Sequence, residues 1–164
     1  MSHLVSIDLE IMDLDALEQS CPELGLIFRR DQKKYKWYGA SMGDYPLPAG
    51  MTKDQLGKCE HAISVVGAGK DCYEIGIYRR PAGTFKTVTH ADGTTKQVDI
   101  SGTYGLVFDF WNGGYGLEAK CGANAGKLAQ AYAREVAIKQ AKRQGFAVQQ
   151  KRTQDGKIQL VLTR

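Results

Sequence analysis

Apolar and polar residues alternate along residues 3–11. Ser6, Asp8 and Glu10 fall on one side and Val5, Ile7, Leu9 and Ile11 on the other, with Leu4 breaking the pattern. A period of two predicts a strand with one buried face. Asp13 follows as an N-cap, and Leu14 and Leu17 give the inner side of a short helix over 14–21 that Pro22 and Gly25 end. "LGLIFRR" reads as a second strand. "KKYKWYGAS" reads as a third, with Tyr35 and Trp37 on one side. Residues 42–58 hold two prolines and three glycines and read as a surface loop with one helical turn at 52–56. "HAISVV" and "CYEIGIYR", joined by "GAGKD", predict an antiparallel hairpin. A second, projecting hairpin spans 81–102, with Asp92-Gly93 at its turn.

The most apolar strand is "YGLVFDFW", 104–111. Tyr104, Leu106, Phe108 and Phe110 face one way, and Val107, Asp109 and Trp111 the other. The longest helix follows over 124–144. Asn124 is its cap, Gly145 its C′ residue, and Ala125, Leu128, Ala129, Tyr132, Ala133, Val136 and Ala137 its core stripe. "FAVQQKR" and "KIQLVLTR" around "QDG" close the chain as a hairpin. Strands dominate and no βαβ rhythm appears. The fold class is therefore α+β: one domain over 1–164, with an antiparallel sheet covered by one long C-terminal helix and a short N-terminal helix. Loop 42–58 and hairpin 81–102 read as insertions.

Composition changes this picture little: 43% hydrophobic and 24% charged residues are ordinary for a globular domain. No apolar run approaches the ~20 residues that cross a bilayer. The opening residues lack the basic and apolar regions of a signal peptide. Cys21, Cys59, Cys72 and Cys121 form no CxxC pair, so free thiols in a reducing cytoplasm are expected. Charge adds more. Residues 1–28 carry six acids and no Lys or Arg, whereas 120–164 carry ten Lys or Arg against Glu135 and Asp155. The two ends either attract each other within the fold or present opposite faces to partners.

Candidate chemistry is sparse. "FDFWNGGYGLEAKCGANAGK" runs from an aromatic strand through glycines into a helix, the layout of a phosphate loop. A GxxxxGK[ST] motif fails in "CGANAGKL", where Cys121 stands for the first glycine and Leu128 for Ser or Thr. "VVGAGKD" fails likewise. What remains is an anion site at the helix start with Lys120, Asn124 and Lys127, against the commoner reading of a glycine turn and a plain cap. Cys59, His61, Cys72 and Cys121 match no common zinc spacing, so neither a metal nor a cofactor is implied. No GxSxG or HExxH motif supports catalysis. His3 beside acidic neighbours reads as structural. Asp109 is either a buried acid or, more commonly, an acceptor for the neighbouring turn. Basic residues interleave with aromatics in "RRDQKKYKWY": Arg29, Arg30, Lys33, Lys34 and Lys36 with Tyr35, Trp37 and Tyr38. Arg134, Lys139, Lys142 and Arg143 add a second basic patch on the long helix, and Lys151, Arg152, Lys157 and Arg164 continue it through the last hairpin. Such patches suit single-stranded nucleic acid, although a solvated helix face with inward aromatics is the commoner arrangement.

Both ends resemble a known family. Ser2, His3, Ile7, Ile11, Asp13, Leu17, Leu24 and Gly25 in the opening, and Tyr132, Ala133, Ala137, Ala141, Gly145 and Phe146 in the helix, are similar to the domain-of-unknown-function 1257 family. The closing "DGKIQLVLTR" fits as well. These are small proteins of plastid genomes, cyanobacteria and other bacteria. The resemblance covers roughly 1–30, 60–80 and 104–164, and it implies no reaction and no catalytic residue. Three functional readings follow. The favoured one is a non-catalytic cytoplasmic accessory protein acting through a protein partner, by its opposed charges and hairpin 81–102. The others are single-stranded nucleic-acid binding through the basic patches, and an enzyme or sensor for a small anion at the 124–144 helix.

Overall fold

The computed structural model describes residues 9–40, 43 and 46–164, together with the backbone of 4–6. The predictions for Ser2, His3, Ile7 and Asp8 lie outside the described residues, as do those for 42, 44 and 45 of the loop.

A five-stranded antiparallel sheet forms the centre. Its strands are β1 (Leu4–Ser6), β2 (Leu26–Arg29), β3 (His61–Val65), β4 (Ile75–Arg79) and β7 (Tyr104–Asp109), in the order β1-β7-β4-β3-β2. Among the described residues of the expected opening strand, those after β1 pair at Ile11, with Tyr104. The β3–β4 hairpin holds the register His61↔Ile77. Alternation sorts the side chains. Leu26, Phe28, Ile63, Ile75, Ile77, Leu106 and Phe108 enter the main core, while Ala62, Gly76, Tyr78, Gly105 and Val107 belong to the other face.

Helices α1 (Leu14–Ser20) and α3 (Gly126–Arg143) cover the main-core face. Asp13 caps α1, its Oδ1 accepting from the Ala16 N–H at 3.0 Å. The hydroxyl of Tyr132 on α3 accepts from the Met12 N–H at 3.0 Å, which docks the start of α1 onto α3. Gly145 and Phe146 end α3 as expected, their N–H groups returning to Lys142 and Ala141. The inner stripe of α3 differs from the expected one. Leu128, Ala131, Tyr132, Ile138 and Ala141 are buried, whereas Ala133 and Ala137 are exposed. Alanine gives little apolar contrast between faces, and the larger Ile138 sets the helix rotation.

The second face is covered by chain, not by helix. The described residues of 30–58 lie on it, with Tyr35 and Met51 buried against Ala62, Tyr78 and Val107. Loop 42–58 is therefore not merely surface. Its helical turn lies at Lys53–Gln55, closed by a capping box from Thr52. Among the described residues the expected strand at 33–41 is reduced to one bridge, Lys34↔Lys58. Two ribbons stand apart from the sheet: β5 (Phe85–Thr89) with β6 (Thr95–Asp99), and β8 (Ala147–Arg152) with β9 (Ile158–Thr163). Among the described residues no helix is long and apolar enough to cross a membrane.

Candidate functional site

The opposed charges of the two ends meet inside the fold. Lys139 donates to Asp13 Oδ2 at 2.6 Å, and Arg134 donates to Glu23. Arg30 reaches both Asp15 and Glu18 at 2.6 Å. The Lys139 bond is the largest influence holding the Asp13 carboxyl below its ordinary range. Two of the candidate binding cations, Arg30 and Lys139, are thus engaged with the acidic N-terminal region, while Lys142 and Arg143 lie exposed at the last turn of α3.

The glycine cluster is not an ordinary turn. Asn112, Gly113, Gly114 and Tyr115 all have positive φ, at 49°, 64°, 60° and 54°. Four consecutive residues make one left-handed helical turn. Glycine adopts it freely, but each side-chain-bearing residue pays about 1–2 kcal/mol. Gly114 has a steric reason besides: a Cβ there would lie 2.9 Å from the Leu117 Cβ. The turn is fastened at two points. Its Gly114 carbonyl accepts from the Tyr73 N–H at 3.0 Å. At its start the Trp111 N–H donates to Asp109 Oδ1 at 2.8 Å.

Asp109 is fully buried, and its Oδ2 accepts from the Tyr38 N–H at 3.3 Å. One carboxylate therefore ties the left-handed turn to the segment 32–38. Glu74 fixes the same segment further back. It accepts from the Lys36 N–H and from Gln32 Nε2, both at 2.9 Å, and its own N–H donates to the Lys36 carbonyl. Tyr35, 4% exposed, points into the second core with its ring against Gly76. It is not available for stacking. Trp37 is half-buried beside it, ring centroids 6.4 Å apart.

These ties open a cleft of about 550 Å³ lined by Lys36, Trp37, Tyr38, Lys70, Asp71, Tyr73 and Tyr115. Tyr38 is 47% and Tyr115 46% exposed. Tyr73 stands edge-on to Tyr115, with centroids 5.2 Å apart. Burial raises the Tyr73 pKa, helped by the charge of Asp109. A smaller hollow of about 190 Å³ shares Lys36 and Tyr73 and extends past Cys72 to Arg29, which also donates to Ser64 at 3.1 Å. Lys33 and Lys34 are exposed but line neither cavity; Lys33 lies 3.8 Å from Asp31 and Lys34 forms a β-bridge with Lys58. Lys70, Tyr73 and Tyr115 were absent from the sequence-derived site, whereas Lys36 belongs to its basic patch 29–36. Lys36 sits within the basic–aromatic stretch and Tyr115 within the glycine cluster, but nothing local joins the two stretches.

The anion site at the long helix takes a different form. Asn124 does not cap α3. It has φ 50°, and the cap position falls to Ala125 with no side-chain bond. Lys120 closes α2 (Leu117–Cys121) with its ammonium beside Gly25, and Lys127 lays its stem on Gly122. Among the described residues no three His, Cys, Asp or Glu side chains gather to hold a metal. Burial pushes the thiols of Cys21 and Cys121 up to about 12 and that of Cys59 to about 11. His61, between Phe28 and Tyr104, accepts from the Asp31 N–H through Nδ1 at 2.9 Å.

A family described as a protein of unknown function, DUF1257, matches residues 91–161. The match runs from the turn before β6 into β9 and bears out the family resemblance over those residues. It takes in the second half of hairpin 81–102, which the sequence reading sets outside the family pattern. No curated protein and no solved structure matches the chain.

Proposed function

We propose that the chain binds single-stranded nucleic acid in the cleft between segment 36–38, Lys70 and the left-handed turn. The observation that carries this reading is the convergence of two exposed tyrosines, Tyr38 and Tyr115, with Lys36 and Lys70 around one open cleft. Exposed aromatic faces stack on bases whatever the sequence, and ammonium groups beside them meet the phosphates. Strain supports the same place. Backbone held in costly conformations clusters at binding sites, and Tyr115 is held there with its ring half in solvent. On sequence alone the opposed end charges favour a protein partner, but they pair with one another and so give that reading less support.

The test is a titration of fluorescent single-stranded DNA and RNA at several salt concentrations, with a mononucleotide as competitor. Affinity should fall steeply with salt and should drop on changing Lys36 and Lys70 to Glu. Tyr115→Gly is the sharper variant. It removes the ring, worth about 1–3 kcal/mol of stacking, so binding should weaken about 5- to 150-fold. It also releases backbone strain, so the melting temperature should not fall. Salt-insensitive binding, or unchanged binding in Tyr115→Gly, would refute the proposal. Full competition by the mononucleotide would reassign the cleft to a free nucleotide.

A further inference from the structure

The β8–β9 ribbon has an apolar face that the described residues leave partly exposed. Its register sets Ile158, Leu160 and Leu162 on one face, opposite Arg152, Gln150 and Val148. Ile158 and Leu162 remain 42% and 48% exposed. A two-stranded ribbon is marginal in water unless such a face packs on something. Between that face and α3 lies a cleft of about 530 Å³, walled by Gln130 and Arg134 on the helix and by Lys157, Ile158 and Leu160 on the ribbon. That volume takes several side chains. Arg134 gives one nitrogen to Glu23, while its Nε is buried without a hydrogen-bond acceptor.

Among the described residues β9 pairs with β8 alone. Its other edge therefore offers unpaired N–H and C=O groups. Edges of this kind are usually blunted by charge or proline, and "IQLVLT" contains neither. The charges around the edge are mixed but basic on balance. Arg134 and Lys157 are held by Glu23 and Asp155, whereas Arg152, opposite Ile158 in the register, and Arg164, just past β9, form no ion pair among the described residues. A second copy would bring two basic ribbons together, whereas an acidic segment complements them.

We propose that β9 and its cleft dock an extended segment of a protein partner. The segment adds as a strand to the β9 edge, places alternate apolar side chains on Ile158, Leu160 and Leu162, and carries carboxylates among them that answer the surrounding cations. This surface is separate from the Tyr38–Tyr115 cleft and does not depend on it.

The probe is a labelled eight-residue peptide alternating Val and Glu, with a Val–Lys peptide as control, followed by fluorescence anisotropy with the full chain at physiological salt. The acidic peptide should bind and the basic one should not. Leu162→Glu and Arg152→Glu, both at exposed positions, should each weaken binding about tenfold with an unchanged melting temperature. Lys36→Glu should leave it unaltered. Equal binding of the two peptides, or of neither, overturns the proposal. So does peptide binding that ignores both ribbon variants. Uptake of anionic vesicles or of an oligonucleotide that the same variants abolish, without acidic-peptide binding, also overturns it, as does self-association lost in Leu162→Glu.

Discussion

Gly76→Ala tests how segment 32–38 is seated. Gly76 lies in the middle of the sheet, paired with Ala62 on β3 and Val107 on β7. A Cβ there would stand 2.4 Å from Tyr35 Cδ1, 2.7 Å from Cε1 and 2.9 Å from Cγ. Carbon atoms rest at about 3.5–4.0 Å, so the ring must withdraw by about an ångström. These atoms lie near the root of the side chain, and the ring is packed among Met51, Ala62, Tyr78 and Val107. Overpacking of this kind costs about 1–3 kcal/mol. Expelling the ring altogether would forfeit about 4–6 kcal/mol of burial, so the ring shifts and stays. Replacing glycine also restricts the unfolded chain, which returns about 0.4–1 kcal/mol. The net loss is therefore about 1–2 kcal/mol.

At about 2–4 °C per kcal/mol for a chain of this size, the melting temperature should fall by about 2–8 °C. Calorimetry reads the loss. Because Tyr35 adjoins Trp37 and the Lys36–Tyr38 wall of the cleft, oligonucleotide affinity should fall with it. Gly126→Ala is the control. It sits in α3 with open space around it, so the same substitution should be neutral or stabilising. A melting temperature of Gly76→Ala equal to or above that of the parent would refute the packing argument, because only the entropy term would then be operating.

Two further outcomes are expected. Asp13→Ala removes both the α1 cap and the Lys139 partner and should cost about 1–2 kcal/mol by thermal melting at neutral pH, whereas Asp13→Asn keeps the cap and should cost less; since the native carboxyl titrates below its ordinary 3.8, the difference between parent and Asp13→Ala should persist above that pH and shrink as pH falls through the lower native value. His61 is pulled below its ordinary 6.5, chiefly by burial, against the opposing charges of Asp31 and Glu60, so the unfolded chain binds its proton more readily; stability from the neutral ring is complete above pH 6.5 and is lost as pH falls toward the native value, and melting curves of parent and His61→Gln should converge over that window.

Much of the fold was legible because its signals are local. The glycine-rich link "GAGKD" located the β3–β4 hairpin, a dense apolar run located β7, Asp92-Gly93 located the β5–β6 turn, and Asp13 capped α1 as read. The failures lie where partners are distant in sequence. Tyr35 and Trp37 alternate like strand residues, yet the hydrogen bonds of that segment go to Gly57, Glu74 and Asp109 rather than to one neighbouring strand. Asn124 has the chemistry of a cap, but asparagine also tolerates the left-handed region, and there it sits. The cleft shares this limit. Its aromatic half was visible in 35–38, while Lys70, Tyr73 and Tyr115 arrive from two other loops.

The small residues of the second face explain why a loop, and not a helix, covers it. Gly76 and Gly105 leave hollows in adjacent strands, and each is filled by a tyrosine ring. Tyr35 lies over Gly76, and the Tyr78 ring end lies 2.6 Å from where a Gly105 Cβ would be. Rings over strand glycines restore packing that the sheet itself lacks. Tyr78 then donates to the Ala49 carbonyl at 3.2 Å, and Gly57 leaves room for the Trp37 indole, so both limbs of the covering loop are pinned to aromatic side chains. Rigid seating of Tyr35 and Trp37 fixes where Tyr38 emerges. Asp109 then sets Tyr38 against the left-handed turn that presents Tyr115. Glycines that look like weak points in the central strands are thus what allow two exposed tyrosines to be held at a fixed separation. Preorganised rings lose less freedom on stacking than mobile ones, which is the physical advantage a base-binding cleft would draw from this arrangement.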